Sequence, residues 1–157
     1  MKKILLIVII GIAFVLRFYH LGVNPPSLYW DEVALGYNAY SISATARDEE
    51  GVFMPIQYFR SFGDFKPPVY IYAEVPMIKL FGLSEWTTRF PSAFFGSLSV
   101  IVAYLITLQI LKRLASHEPT FLHKNTTEWI ALLTAFLLAI SPWHTQISRV
   151  AYEANVA

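Results

Sequence analysis

The chain has 157 residues, of which 55% are hydrophobic, 16% are aromatic and 15% are charged. Soluble domains carry about a quarter charged residues, so this composition predicts a membrane protein. The formal net charge is +1, and no basic stripe with interleaved aromatics is visible, which argues against nucleic acid as a partner. Cysteine is absent, which excludes disulfides and thiolate metal sites.

The first apolar segment predicts a membrane span over residues 4–20. Lys2 and Lys3 precede it, which places the N-terminus in the cytoplasm by the positive-inside rule. The segment approaches the roughly 20 residues that a span needs, and no signal-peptide cleavage site follows. Arg17 lies near the outer end, where we expect an ordinary anchor that snorkels to the interface rather than a catalytic group.

A large outer loop, residues 21–89, is predicted to follow the first span. A Pro-Pro turn ends the helix, and Asp31 stands where a mildly amphipathic helix over residues 31–46 would begin. That helix is too short and polar to span, so it is expected to lie at the membrane interface. A purely structural alternative is that Asp31 caps this helix, but capping does not explain Glu32 or the Tyr-Trp pair before it.

A second helix in the outer loop is predicted over residues 67–81, again at the interface. Charge at mid-membrane costs about 2.5–3.5 kcal/mol per residue on insertion scales, and this segment carries Glu74 and Lys79. An interfacial position also leaves the basic loop 112–127 in the cytoplasm, as the positive-inside rule prefers. A short spanning helix over 67–81 remains the alternative.

Two further spans are predicted, over residues 90–111 and 128–142. Pro91 suits the first turn of the earlier one, and Gly96 permits close helix packing. A further helix over 145–157 would place Arg149 and Glu153 four residues apart on one face. With its apolar end, the chain reads as the N-terminal piece of a longer protein. The predicted fold class is therefore all-α integral membrane, with residues 1–157 forming one partial transmembrane domain.

On this topology carboxylates and cations meet at the outer surface, which suits a substrate with a charged head and an apolar tail. Cations would neutralise a phosphate and a carboxylate would accept a proton. Simpler readings are an interfacial anchor for Lys66, an i,i+4 pair for Arg149 and Glu153, and an interface residue for His144. A divalent metal is possible, but no ligand spacing is diagnostic, so no cofactor is assigned. The outer polar set is Asp31, Glu32, Asp64, Lys66, Arg89, His144, Arg149 and Glu153.

The order of motifs resembles the GT-C-fold glycosyltransferases that use polyprenyl-phosphate sugars, namely protein O-mannosyltransferases and the aminoarabinose transferases of lipid A. The motifs run over nearly the whole chain, and their order and spacing are more specific than any one of them. They are Arg17, Tyr29-Trp30-Asp31-Glu32, Lys66-Pro67-Pro68-Val69-Tyr70, Leu80-Phe81-Gly82, Arg89-Phe90-Pro91-Ser92, and Ser141-Pro142 through Ser148-Arg149 to Glu153.

The resemblance implies roles for individual residues. Asp31 would be the general base or would position the acceptor, with Glu32 in support, and Lys66 would contact the donor phosphate. The other substrate-binding candidates are Tyr70, Arg89, Arg149 and Glu153, the last standing where the family often has Asp. In the aminoarabinose branch a Glu before the lysine helps hold zinc. Phe65 occupies that position here.

The resemblance also implies an inverting transfer of a sugar from a polyprenyl-phosphate donor to a hydroxyl on protein, lipid or glycan. The expected site is the outer face of the plasma (inner) membrane, in a multi-pass protein whose partners are donor, acceptor and membrane lipid. The isolated piece would be inactive, since family members close the donor groove with later helices. A transporter or flippase of lipid-linked intermediates and a small structural subunit are the alternatives. The first would require polar residues within the spans.

Overall fold

The computed structural model describes residues 1–117 and 124–156, and 71% of these residues are helical. The centre of the predicted basic loop, with Glu118 and His123, lies outside the described residues. The elements in chain order are α1 (Lys2–Phe18), α2 (Trp30–Thr45), the strands β1 (Phe59–Ser61) and β2 (Asp64–Lys66), α3 (Pro68–Phe81), α4 (Glu85–His117), α5 (Lys124–Ile140), α6 (Pro142–Ser148) and a 3₁₀ turn (Glu153–Asn155).

Helices α1, α4 and α5 pack together as an apolar bundle. Alanine lines much of the contact, which lets the backbones approach closely in the way that membrane helices do. The buried residues between them are Ile9, Ala13, Val100, Leu132, Ala135 and Ala139. Outside this seam the bundle exposes large apolar side chains on α1 and α4.

Among the described residues, one helix, Glu85–Ser116, is long and apolar enough to cross a membrane. Its most apolar stretch is only 17% buried, so most of this surface faces outward. A second span results if Asn125–Ile140 and Pro142–Ser148, which meet at a bend of 57°, are taken together. A mostly helical chain with an outward-facing apolar helix agrees with the predicted class, while the number and direction of the spans stay predictions.

Helix α4 begins earlier than the sequence predicted. The Ser84 hydroxyl accepts a hydrogen bond from the Thr87 amide at 3.2 Å, and the Thr87 hydroxyl accepts one from the Ser84 amide at 2.9 Å. This reciprocal pair starts the first turn, so the helix runs from Glu85 and contains Pro91 in its interior. The expectation that Pro91 lies in the first turn was therefore wrong.

Helices α2 and α3 form a second layer over the N-terminal part of α4. Their shared core contains Leu35, Ala39, Tyr70 and Ile71, together with Phe59 from the hairpin. Helix α3 has 14 residues and is about 21 Å long, whereas the hydrocarbon core of a bilayer is about 30 Å thick. Its length therefore favours the interfacial position over a spanning one.

The end of the chain differs from the predicted helix over 145–157. Helix α6 begins at Pro142 and ends at Ser148, and Tyr152 is extended before the 3₁₀ turn. Ser148 packs against Gly96, where an added Cβ would lie 2.6 Å from the serine Cβ. Because α6 ends at Ser148, Arg149 and Glu153 do not lie on one helix, and the predicted i,i+4 pair is wrong.

Candidate active site

A two-stranded hairpin carries Lys66 to the first turn of α2. Strands β1 and β2 are antiparallel, with Ser61 paired to Asp64 across a two-residue turn. Phe62 and Gly63 form that turn with φ of 52° and 80°, the left-handed geometry of a tight hairpin turn. This hairpin is absent from the predicted elements, although Gly63 between two short runs with aromatic residues was a usable signal.

Lys66 joins Asp31 of α2 to Asp64 of its own strand. The Nζ atom lies 2.5 Å from Asp31 Oδ1 and 3.0 Å from Asp64 Oδ2. The lysine side chain is 6% exposed, while those of Asp31 and Asp64 are 44% and 69% exposed. The carboxylates therefore reach solvent, and the buried ammonium is held between them.

Neighbouring carboxylates stabilise the positive charge of Lys66. Burial would lower the pKa of Lys66, but hydrogen bonds to Asp31 and Asp64 and the attraction of Asp31 and Glu153 outweigh it, so the pKa lies above its ordinary value. The ammonium therefore remains protonated at neutral pH, as a contact to a phosphate requires.

Asp31 is not the N-cap of α2. Tyr29 is the N-cap residue, and its amide donates to Glu32 Oε2 at 2.9 Å. The carboxylate of Asp31, two positions into the helix, is bonded to Lys66 instead. The prediction that Asp31 caps the helix is thus wrong. Glu32, rather than Asp31, accepts a backbone hydrogen bond at the start of α2.

Glu32 forms a buried ion pair with Arg89 of α4. Arg89 Nε donates to Glu32 Oε1 at 2.9 Å and Nη2 donates to Oε2 at 3.1 Å. Nη1 donates to the Leu21 and Pro25 carbonyls, and Nη2 also donates to that of Ser27. A guanidinium has five N–H donors, and these contacts use all five. The geometry favours a structural role, and the predicted contact between Arg89 and substrate remains a prediction.

The same glutamate also fixes the segment after α6. Ala151 N donates to Glu32 Oε1 at 2.7 Å. Burial alone would raise the pKa of Glu32, but the bonds from Arg89, Ala151 and Tyr29 outweigh it, and the pKa lies below its ordinary value. Glu32 therefore stays ionised, and it links α2 to α4 and to the backbone at Ala151.

Glu153 lies two residues beyond this link, and its carboxyl group interacts through space with the charges of Asp31, Asp64 and Lys66. Burial is the main cause that raises its pKa above the ordinary value; the charge of Lys66 opposes the rise, and those of Asp31 and Asp64 add to it. Its Oε1 atom is buried without a hydrogen-bond partner among the described residues. The structure thus brings together Asp31, Lys66 and Glu153 of the predicted site, with Asp64 beside them.

Two arginines bind backbone carbonyls rather than an open site. Arg149 donates to the Leu16 carbonyl at 2.8 Å and to that of Asn24 at 2.7 Å. Arg17 is fully buried and donates to the Ala139 carbonyl at the end of α5. The expectation that Arg17 snorkels to the interface was wrong, because free carbonyls at a helix end are strong acceptors for it. Substrate binding by Arg149 remains a prediction.

His144 completes the Arg17 contact. Arg17 Nη2 lies 2.8 Å from His144 Nδ1, and His144 Nε2 lies 3.1 Å from the Ser99 hydroxyl. Since arginine can only donate, Nδ1 accepts and Nε2 carries the hydrogen. The predicted interface residue is thus a connector between α1, α4 and α6.

Tyr70 is buried at 1% exposure, and its hydroxyl donates to the Thr88 carbonyl at 3.0 Å. Burial raises the pKa of Tyr70 well above its ordinary value. The side chain ties α3 to α4 behind the cluster, and its predicted substrate contact remains a prediction.

Glu74 is a buried acid, and its charge entered the sequence prediction only as a reason against a span over residues 67–81. It is 0% exposed, and neither carboxyl oxygen has a hydrogen-bond partner within the described part of the chain. Burial, aided by repulsion from Glu32, raises the pKa of Glu74 well above its ordinary value. The group is therefore neutral in the folded protein, since an unpaired buried charge is very costly.

A change of Glu74 to glutamine is expected to flatten the dependence of stability on pH. The folded protein retains a proton on Glu74 that the unfolded chain releases above about pH 4.3. Stability therefore falls by about 1.4 kcal/mol per pH unit from that point up to the raised pKa. Thermal unfolding in detergent between pH 5 and 8 should show a smaller loss in Glu74→Gln than in the wild type. Equal slopes would mean that Glu74 ionises at its usual pH.

A metal ion needs a grouping of several ligating side chains. Within residues 1–117 and 124–156, no group of three or more His, Asp or Glu side chains is placed to hold an ion. Phe65, where the aminoarabinose branch has its zinc ligand, packs on Tyr58 with ring centroids 4.9 Å apart.

The structure thus combines an apolar helical bundle, a second helical layer and a carboxylate–lysine cluster at the start of α2. The family model described as dolichyl-phosphate-mannose-protein mannosyltransferase matches residues 7–117. The chain therefore belongs to this family of membrane-embedded glycosyltransferases, and the predicted resemblance to the protein O-mannosyltransferases is confirmed. No curated protein and no solved structure matches the chain.

Proposed function

We propose that this chain provides the base and a donor-phosphate contact of an enzyme that transfers mannose from a polyprenyl phosphate to a hydroxyl acceptor. The observation that carries the proposal is the bond between Asp31 and the buried ammonium of Lys66. It places a solvent-accessible carboxylate beside a fixed positive charge, the pair that a displacement at a sugar phosphate needs.

In the proposed reaction, the acceptor oxygen attacks the anomeric carbon of the sugar from the face opposite the phosphate. The bond from the acceptor oxygen to carbon forms as the bond from carbon to the phosphate oxygen breaks. The electron pair of that bond stays on the departing phosphate, which Lys66 stabilises. The proton of the acceptor passes to Asp31, and the configuration at carbon is inverted.

Glu32, Arg89 and Glu153 are proposed to assist this reaction without reacting themselves. Glu32 and Arg89 fix the start of α2 relative to α4, and so the position of Asp31. Glu153 faces the same lysine and is proposed to lie at the edge of the substrate site. The site is proposed to open on the outer face of the membrane, with the N-terminus cytoplasmic because Lys2 and Lys3 precede α1.

The test is product formation by the complete gene product reconstituted in liposomes. A radiolabelled dolichyl-phosphate-mannose donor and a Ser/Thr-containing peptide should yield a mannosylated peptide, and the variant Lys66→Ala should reduce its rate by at least about 100-fold. Movement of intact labelled donor across the bilayer without a glycosidic product would refute the proposal in favour of a transporter.

A further inference from the structure

Asp64 belongs to the outer polar set predicted from the sequence, but the resemblance gave it no individual role. In the structure it shares Lys66 with Asp31. Its Oδ2 atom accepts from Lys66 Nζ at 3.0 Å, and its Oδ1 atom accepts from the Phe65 amide at 2.8 Å. The backbone bond fixes the orientation of the carboxylate before any ligand arrives. The hydrogen bond from Lys66 is the main cause that holds the pKa of Asp64 below its ordinary value, so it stays ionised.

The ammonium of Lys66 has three N–H donors. Asp31 takes one of them and Asp64 takes another. Glu153, from the 3₁₀ turn, also faces the ammonium and attracts it through space. With two donors fixed by carboxylates from α2 and from β2, the direction of the third is fixed as well.

We propose that Asp64 is a positioning residue for sugar transfer: it holds Lys66 so that the remaining N–H of the ammonium is directed at the donor phosphate throughout the reaction. This inference rests on the proposed function. When Asp31 accepts the acceptor proton, it loses its charge and holds the lysine less strongly. Asp64 receives no proton in the reaction, so it keeps Lys66 in place while the phosphate departs.

The variant Asp64→Asn tests this assignment. An asparagine can present its oxygen either to the Phe65 amide or to Lys66, but not to both in the same orientation, and it carries no charge. Misplacement of a catalytic cation by about 1 Å costs up to about 100-fold in rate. In the complete gene product, with dolichyl-phosphate-mannose and a Ser/Thr peptide, we expect kcat to fall by about 10- to 100-fold, while the donor KM changes less than about 3-fold.

Glu49→Gln is the matched control, because it removes an exposed acid that is not among the charge partners of Lys66. This control should keep kcat within about 2-fold of the wild type. If Asp64→Asn folds poorly in a thermal unfolding assay, Asp64→Ser is measured instead, since its hydroxyl retains an acceptor for the Phe65 amide but lacks the charge. The same loss of kcat is expected there.

Comparison with Lys66→Ala separates this inference from the proposed function. If Lys66→Ala abolishes transfer and the folded Asp64 variant keeps the kcat of the wild type, Asp64 is not a positioning residue and the proposed function stands. If Lys66→Ala leaves transfer intact, both fail. A rise in donor KM with unchanged kcat in the Asp64 variant would also overturn the assignment, because it would place Asp64 in ground-state binding alone.

Discussion

Replacement of Asp31 by asparagine is expected to abolish sugar transfer and to leave the protein folded and inserted in the membrane. A positioned general base contributes about 10²- to 10⁴-fold to rate, and asparagine cannot accept the acceptor proton. The amide oxygen can still accept the hydrogen bond from Lys66. The cost in stability should therefore be small, below about 1 kcal/mol for a pair whose acid is 44% exposed.

The measurement is kcat for mannose transfer by the complete gene product, with size-exclusion chromatography in detergent as the check on folding. Glu50→Gln, which removes an exposed acid between α2 and β1, should behave as the wild type. Turnover near the wild-type value in a correctly folded Asp31→Asn protein would remove Asp31 from the mechanism and leave Asp64 and Glu153 as the other carboxylates around Lys66.

The change with the largest expected effect on stability is Arg89→Ala. It leaves Glu32 as an uncompensated charge at 3% exposure and frees three backbone carbonyls of the loop before α2. Breaking a buried ion pair by removal of one partner costs about 3–5 kcal/mol. Thermal or denaturant unfolding in detergent should show this loss, together with increased proteolysis of the segment between α1 and α2.

The double variant Glu32→Gln with Arg89→Gln provides the control, because it removes both charges and retains polar groups of similar size. The free energy of unfolding that it loses should be smaller than the sum of the losses in the single variants Glu32→Gln and Arg89→Gln. The difference, the coupling energy, is expected to be about 0.5–3 kcal/mol. If Arg89→Ala instead unfolded like the wild type but bound the donor weakly, Arg89 would contact substrate as the sequence suggested, and the structural role would be wrong.

The comparison of Asp31 with Glu32 shows why a pair of neighbouring acids could be found in the sequence but not divided between roles. Both residues lie in the first turn of α2, where either could cap the helix. Their roles diverge through contacts with residues far along the chain, since Lys66 lies 35 residues from Asp31 and Arg89 lies 57 from Glu32. Local pattern carries no information on such pairings.

The arginines illustrate the same limit in a different way. The sequence offered Arg17, Arg89 and Arg149 as an anchor or as phosphate contacts, because guanidinium groups suit phosphate. In the structure all three donate to backbone carbonyls at helix ends and loops. A buried carbonyl requires a donor, and only the packing of the helices shows which carbonyls lack one.

Composition and local sequence pattern were sufficient to predict the class of this protein. The apolar runs, the basic start and the order of motifs indicated a helical membrane protein of the glycosyltransferase family, because hydrophobicity and motif order are properties of neighbouring residues. The tertiary structure decided which polar residues meet: the hairpin at Phe62 and Gly63 carries Lys66 to Asp31, and the bond from Ala151 to Glu32 brings Glu153 beside them. These contacts join distant segments, so their geometry exists only once the helices have packed.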